Sequence, residues 1–200
     1  MCIRDRCVLV HPDCCKILRA TLDYFTEHGA VFYKKMAHVG YLRHLLVRRG
    51  VKTGEILVDL VTSTQTEGTW KSEQNEEALL EGWKEKLLEL DLEGSFAGIL
   101  HTENDSLADV VQNDRTVILY GQDFFMEELL GLKFKITPFS FFQTNSLGAE
   151  VLYETAREYI GETDGRKVFD LYSGTGTIAQ ILAPAAEHVT GVEIIEEAVE

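Results

Sequence analysis

Asp170-Leu-Tyr-Ser-Gly-Thr-Gly-Thr177 is the stretch whose reading decides the fold. Before it, Lys167-Val168-Phe169 is a short apolar run suited to a buried parallel strand; after it, Ile178 to Ala186 is rich in helix formers. Gly174 and Gly176 can take backbone angles that a Cβ forbids, so the chain can turn sharply and expose its N–H groups to a ligand at a helix N-terminus. A second strand, His188 to Val192, delivers Glu193 seventeen residues after Gly176, where a carboxylate at a strand end can accept two ribose hydroxyls. Strand, glycine turn, helix, strand and acid together spell a nucleoside-cofactor site.

Two cofactor classes share this pattern. A dinucleotide site wants a third glycine three residues after Gly176, where Ala179 stands, and the looser form of that motif tolerates alanine. Spacing alone therefore leaves both open. Asp170, four residues before Gly174, favours S-adenosylmethionine: an acid there suits a cationic aminoacyl sulfonium ligand and is awkward beside a pyrophosphate. The competing structural reading is a plain strand-to-helix turn whose glycines serve geometry only.

Upstream, Phe134 to Leu152 reads FKITPFSFFQTNSLGAEVL. With DLYSGTGTI and GVEI it resembles the RNA uracil-5-methyltransferase family, which includes 23S ribosomal RNA and transfer RNA enzymes. Arg43 to Ser63, RHLLVRRGVKTGEILVDLVTS, is similar to the family's central domain, so the resemblance runs through most of the chain. It implies an α+β central domain over residues 1–133, RNA-contacting, followed over 134–200 by the start of a Rossmann-like class I S-adenosylmethionine-dependent methyltransferase domain. The implied activity is methylation of uracil carbon 5, with 23S ribosomal RNA as the expected substrate and transfer RNA as the alternative.

The resemblance also implies site roles at matched positions. Gln143 offers a donor and an acceptor to the aminoacyl end of S-adenosylmethionine, Tyr172 lies beside the ligand, and Glu193 holds the ribose, above Gly174 and Gly176. Gln143 could instead cap the next helix, and Tyr172 could be a core aromatic with its hydroxyl satisfied. Of Phe141 and Phe142, one ring is expected in the core and the other toward the target base, which must be unstacked for chemistry. The family usually has cysteine where Ser173 stands.

The implied reaction needs a cysteine thiolate adding to carbon 6 and a base removing the carbon 5 proton. The four cysteines stand at 2, 7, 14 and 15, so no catalytic residue is assigned, and the chain is expected to be an inactive fragment of a longer enzyme. Met1 to Arg6 reads as a translated adapter remnant. Cys7, before Val8-Leu9-Val10, looks like the fourth ligand of the iron–sulfur cluster that many family members carry, its three partners being absent. Cys14 and Cys15 fit small, partly buried positions.

Composition agrees with a globular, cytoplasmic chain: 45% of residues are hydrophobic, and no apolar run has the length of a membrane span. The net charge of −14 is uneven. Residues 1–70 hold ten Lys and Arg against seven Asp and Glu, whereas residues 71–200 hold nine against twenty-six. Lys34, Lys35, Arg43, Arg48, Arg49 and Lys52, with His38 and His44, are the candidate phosphate contacts; the competing reading is a solvated strand face. Two other functions stay open: a non-catalytic RNA-binding module, and an enzyme using S-adenosylmethionine on another substrate or a nicotinamide cofactor.

Overall fold

A computed structural model describes residues 9–71, 75–107, 115–161 and 167–194. The chain forms two compact units, one of residues 1–50 and 54–125, the other of 51–53 and 126–200.

The first unit is a four-stranded sheet with two helices. Helix α1 (Pro12–Glu27) leads to strands β1 (Leu42–Arg49) and β2 (Glu55–Thr62), then helix α2 (Glu76–Leu88), β3 (Ser95–Glu103) and β4 (Arg115–Gly121). The spatial order is β1-β2-β3-β4; β2 and β3 are parallel and the outer pairs antiparallel. The parallel pair requires a crossover, which α2 supplies. Ile56, Val58 and Leu60 alternate along β2 and pack in one core with Ile17 and Phe25 of α1 and Leu79, Trp83 and Leu87 of α2. The buried Trp83 Nε1–H donates to Thr21 Oγ1 at 3.0 Å. Gly82 lets the helices approach closely, because a Cβ there would lie 2.5 Å from the Tyr24 hydroxyl.

Helix α1 begins at Pro12, ahead of its first fully buried apolar residue, Ile17. Pro12 sits in its first turn, where a missing N–H costs nothing. Asp13, 1% exposed, is the reason this turn is fixed: Oδ1 accepts the Glu93 N–H at 3.1 Å, and Oδ2 accepts the Gly94 N–H at 3.0 Å and Arg49 Nε–H at 3.4 Å. Cys14 and Cys15 are partly buried, as expected. Cys7 lies outside the described residues. Among the described residues no cluster of His, Cys, Asp or Glu could hold a metal ion, so nothing there fits an iron–sulfur group.

In the second unit, β5 (Phe125–Leu129) and β6 (Leu132–Ile136) pair through a two-residue connection, Leu130-Gly131. Both turn residues have positive φ, +50° and +81°, as a type I′ hairpin demands. Then come α3 (Ser146–Ile160), β7 (Lys167–Leu171), α4 (Thr177–Leu182), a 3₁₀ turn (Ala183–Ala185) and β8 (His188–Val192). The helix former run from Ile178 to Ala186 is not one helix, because Pro184 cannot continue the α-helical ladder. Glu127, 1% exposed, organises this unit. Its carboxylate accepts the N–H groups of Val51, Lys52 and Glu128 and the Ser146 hydroxyl, at 2.7 to 3.1 Å.

Two buried aspartates of the first unit should respond to pH in opposite directions. Burial raises the Asp13 pKa, but the Gly94 and Glu93 N–H groups, His11 and Arg49 outweigh it and hold the carboxyl below its ordinary value. A depressed folded-state pKa gives stability that is present above the unfolded value and lost as pH falls through the folded one. Asp13→Asn should therefore cost roughly 1–3 kcal/mol at pH 7, with the gap to wild type closing in acid, in urea unfolding followed by circular dichroism. Asp59, 1% exposed, keeps one hydrogen bond, from Thr102 Oγ1 at 3.0 Å, while its Oδ1 has no partner among the described residues. Burial pushes it up to about 6, against that hydrogen bond. Its raised value gives stability present below the unfolded pKa and lost as pH rises through the folded one. Relative to Asp59→Asn, wild type should lose up to about 3 kcal/mol between about pH 4 and 7; a flat difference would place the carboxyl in water.

Candidate cofactor site of the second unit

Strands β7 and β8 pair in parallel, with Lys167 opposite His188 and Leu171 opposite Val192. Their C-terminal ends therefore finish together, so the turn after β7 and the acid after β8 lie side by side. Ser173 N–H donates to Val192 O at 3.1 Å, and Gly174 N–H donates to Glu193 Oε2 at 2.8 Å. The other carboxylate oxygen accepts the Ile194 N–H at 2.8 Å. Glu193 and the first glycine, nineteen residues apart, are thus in contact.

The turn is left-handed at three residues: Tyr172 (φ +62°), Gly174 (+55°) and Gly176 (+69°). A Cβ at Gly174 would meet nothing within 4 Å, so this glycine answers a backbone requirement and leaves open space above the turn. Tyr172 adopts the same region with a full side chain, which costs about 1–2 kcal/mol. Its ring is 92% exposed, which excludes the core-aromatic reading.

Asp170 does not point its whole carboxylate at the space above the turn. Its Oδ2 accepts the Ala179 N–H of α4 at 3.0 Å and so caps that helix. Burial raises the Tyr153 pKa, a hydrogen bond with the Gln143 side chain opposes the rise, and the Asp170 charge adds to it. The capping role open to Gln143 belongs to Asn145, whose side chain accepts the Gly148 N–H at 2.9 Å.

Tyr153 went unread in the sequence. Its signal was helical spacing, since Ala149 and Tyr153 are the buried i, i+4 pair of α3. The structure also separates the two phenylalanines. Phe142 packs on Phe134 with ring centroids 5.9 Å apart, and Phe141 is 76% exposed.

No protein-family model matches the chain. An uncharacterized RNA methyltransferase from Clostridium tetani is 53% identical over 196 residues, covering 98% of this chain and 41% of the relative. Another from Caldanaerobacter subterraneus is 45% identical over 199 residues, with the same coverage. Among solved structures, the Pyrococcus abyssi tRNA (uracil-54, C5)-methyltransferase in complex with S-adenosyl-L-homocysteine superposes with a TM-score of 0.65 at 27% identity, over 94% of this chain and 41% of that one. The chain spans about two fifths of the length of these relatives. Its fold is an α+β unit followed by a Rossmann-like strand-turn-helix-strand unit, similar over 94% of the chain to that methyltransferase. Among the described residues, no helix is long and apolar enough to cross a membrane.

The left-handed tyrosine gives a test that separates folding from binding. Tyr172→Gly should leave the melting temperature unchanged or raise it, by relief of about 1 kcal/mol of backbone strain. The same change should weaken S-adenosylhomocysteine binding in calorimetric titration. A lower melting temperature with unchanged affinity would make Tyr172 structural.

Proposed function

We propose that this chain carries the cofactor-holding and RNA-contacting parts of an S-adenosylmethionine-dependent RNA methyltransferase that modifies carbon 5 of uracil. The observation that carries the reading is the contact between Glu193 and the Gly174 N–H at the ends of two parallel strands, beside open space. The carboxylate accepts the Gly174 and Ile194 N–H groups at the strand ends, and it is the group that takes the ribose hydroxyls. Gln143 presents an amide to the aminoacyl end, and Tyr172 lies beside the ligand over Gly174 and Gly176. S-adenosylmethionine, when bound, supplies an electrophilic methyl group.

Residues 134–200 take the cofactor role, and residues 1–133 take the RNA. Phe141 is the ring available to a target base, since Phe142 is engaged with Phe134. Uracil carbon 5 is favoured by the SFFQTN segment and by the solved relative, which is a uracil-C5 enzyme. The motif resemblance favours 23S ribosomal RNA as substrate; the solved relative acts on tRNA and favours that alternative. An RNA substrate of either kind fits a cytoplasmic enzyme.

Isothermal titration with S-adenosylhomocysteine and with NAD tests the cofactor assignment. Binding of the first and not the second is expected, and Glu193→Ala should weaken it by about 1–3 kcal/mol, the cost of leaving polar partners unpaired. Binding of NAD alone would overturn the assignment.

A further inference from the structure

Residues 28–48 contain four Lys and Arg and not one Asp or Glu, in a chain of net charge −14. Within this stretch the backbone makes a small projecting hairpin. Lys34 N–H donates to Val39 O at 2.8 Å, and the Ala37 and His38 N–H groups donate back to Lys34 O at 3.0 and 2.8 Å. His38 closes the turn with φ +52°.

The hairpin is firmly seated. Tyr33 N–H donates to Leu42 O at 2.8 Å, and Tyr41, fully buried, donates its N–H to Val31 O at 2.9 Å. Gly40 is pressed against the opposite strand, where a Cβ would lie 2.5 Å from Phe32 O. The Gln65 amide bridges the loop, donating to His38 O at 2.9 Å and accepting the Gly40 N–H at 3.2 Å. On this fixed base stand apolar side chains in water: Met36 is 96% exposed, Val39 55% and Phe32 54%. Beneath the tip, the Arg43 guanidinium lies 4.4 Å from the centre of the Tyr33 ring, and Lys35, His44 and Leu107 complete a small recess of about 40 Å³.

We propose that this hairpin is a contact for single-stranded RNA, in which Phe32 and Met36 take unstacked bases and Lys34 and Lys35 take the flanking phosphates. The proposal rests on the reading of this chain as part of an RNA-modifying enzyme and names the element that meets the RNA. Exposed apolar side chains bordered by lysines, in a stretch without an acid, match what a single strand offers: π-faces that stack without sequence preference and a charged backbone. A rigid base matters too, because a platform already ordered loses little entropy when a base stacks on it. An apolar protein partner would draw nothing from the basic character of the stretch.

Fluorescence anisotropy with a labelled oligouridylate, titrated into the full chain at several salt concentrations, tests this. The F32A/M36A chain should bind about tenfold or more weakly with an unchanged salt slope, since stacking is lost and no phosphate contact is. The K34Q/K35Q chain should lower the slope of log affinity against log salt by about 1.4, about 0.7 for each phosphate contact. Both pairs lie on the surface, and melting curves matching wild type confirm the fold. Wild-type binding with both variants unchanged would overturn the hairpin while leaving the RNA reading intact. No wild-type binding to single-stranded RNA would remove the RNA role of this unit and the hairpin with it.

Discussion

Glu193 can meet Gly174 only because β7 and β8 run parallel with their ends in register. An antiparallel pair would put the turn at one end of the ladder and the acid at the other. Parallel pairing in turn obliges the chain to return over the sheet, and α4 with its 3₁₀ extension is that return. Asp170 ties the first turn of α4 to the end of β7, so the helix position and the strand end are fixed by one carboxylate. Gly191 keeps β8 close at the same level, where a Cβ would stand 3.1 Å from Ser173 Oγ. The proposed cofactor contacts are consequences of that register.

Buried carboxylates organise both units by one device. Asp13 and Glu127 are each 1% exposed, and each accepts several backbone N–H groups from segments that have no regular partner of their own. A loop whose amides would otherwise be buried unsatisfied is held by one acid with acceptor capacity to spare. Asp59 is the contrasting case, in which those backbone donors are missing. It has one hydroxyl donor, and burial pushes its carboxyl up to about 6, whereas at Asp13 the Gly94 and Glu93 N–H groups together with His11 and Arg49 outweigh burial.

Much of this was legible in the sequence because it rests on local pattern. Strand β8 follows from its short apolar run before Glu193. The glycine turn and Glu193 were legible because spacing along a strand-turn-helix unit fixes position. What escaped depended on the surroundings. Leu130 occupies a turn position where asparagine would have advertised a hairpin, and the Glu150 carboxylate, accepting its N–H at 2.7 Å, holds it there. The early start of α1 depends on Glu93 and Gly94, distant in sequence from Asp13. Which of Phe141 and Phe142 turns inward is decided by Phe134. None of these partners can be seen from the residue itself.

Three non-glycine residues among those described take a left-handed backbone: His38, Leu130 and Tyr172. Each costs free energy that the rest of the chain must offset, so each asks what holds it. For Leu130 the answer is hairpin geometry and the Glu150 bond. His38 is held by the tight turn and by Gln65. Tyr172 is different, since the bonds that fix its turn begin one residue later, at Ser173 and Gly174, and its own ring reaches into solvent. A glycine would satisfy the backbone there without strain. That a large aromatic is kept in a conformation unfavourable to it, beside an acid and two glycines, is understandable if the ring has work above the turn, and this joins the strain to the site instead of to the fold.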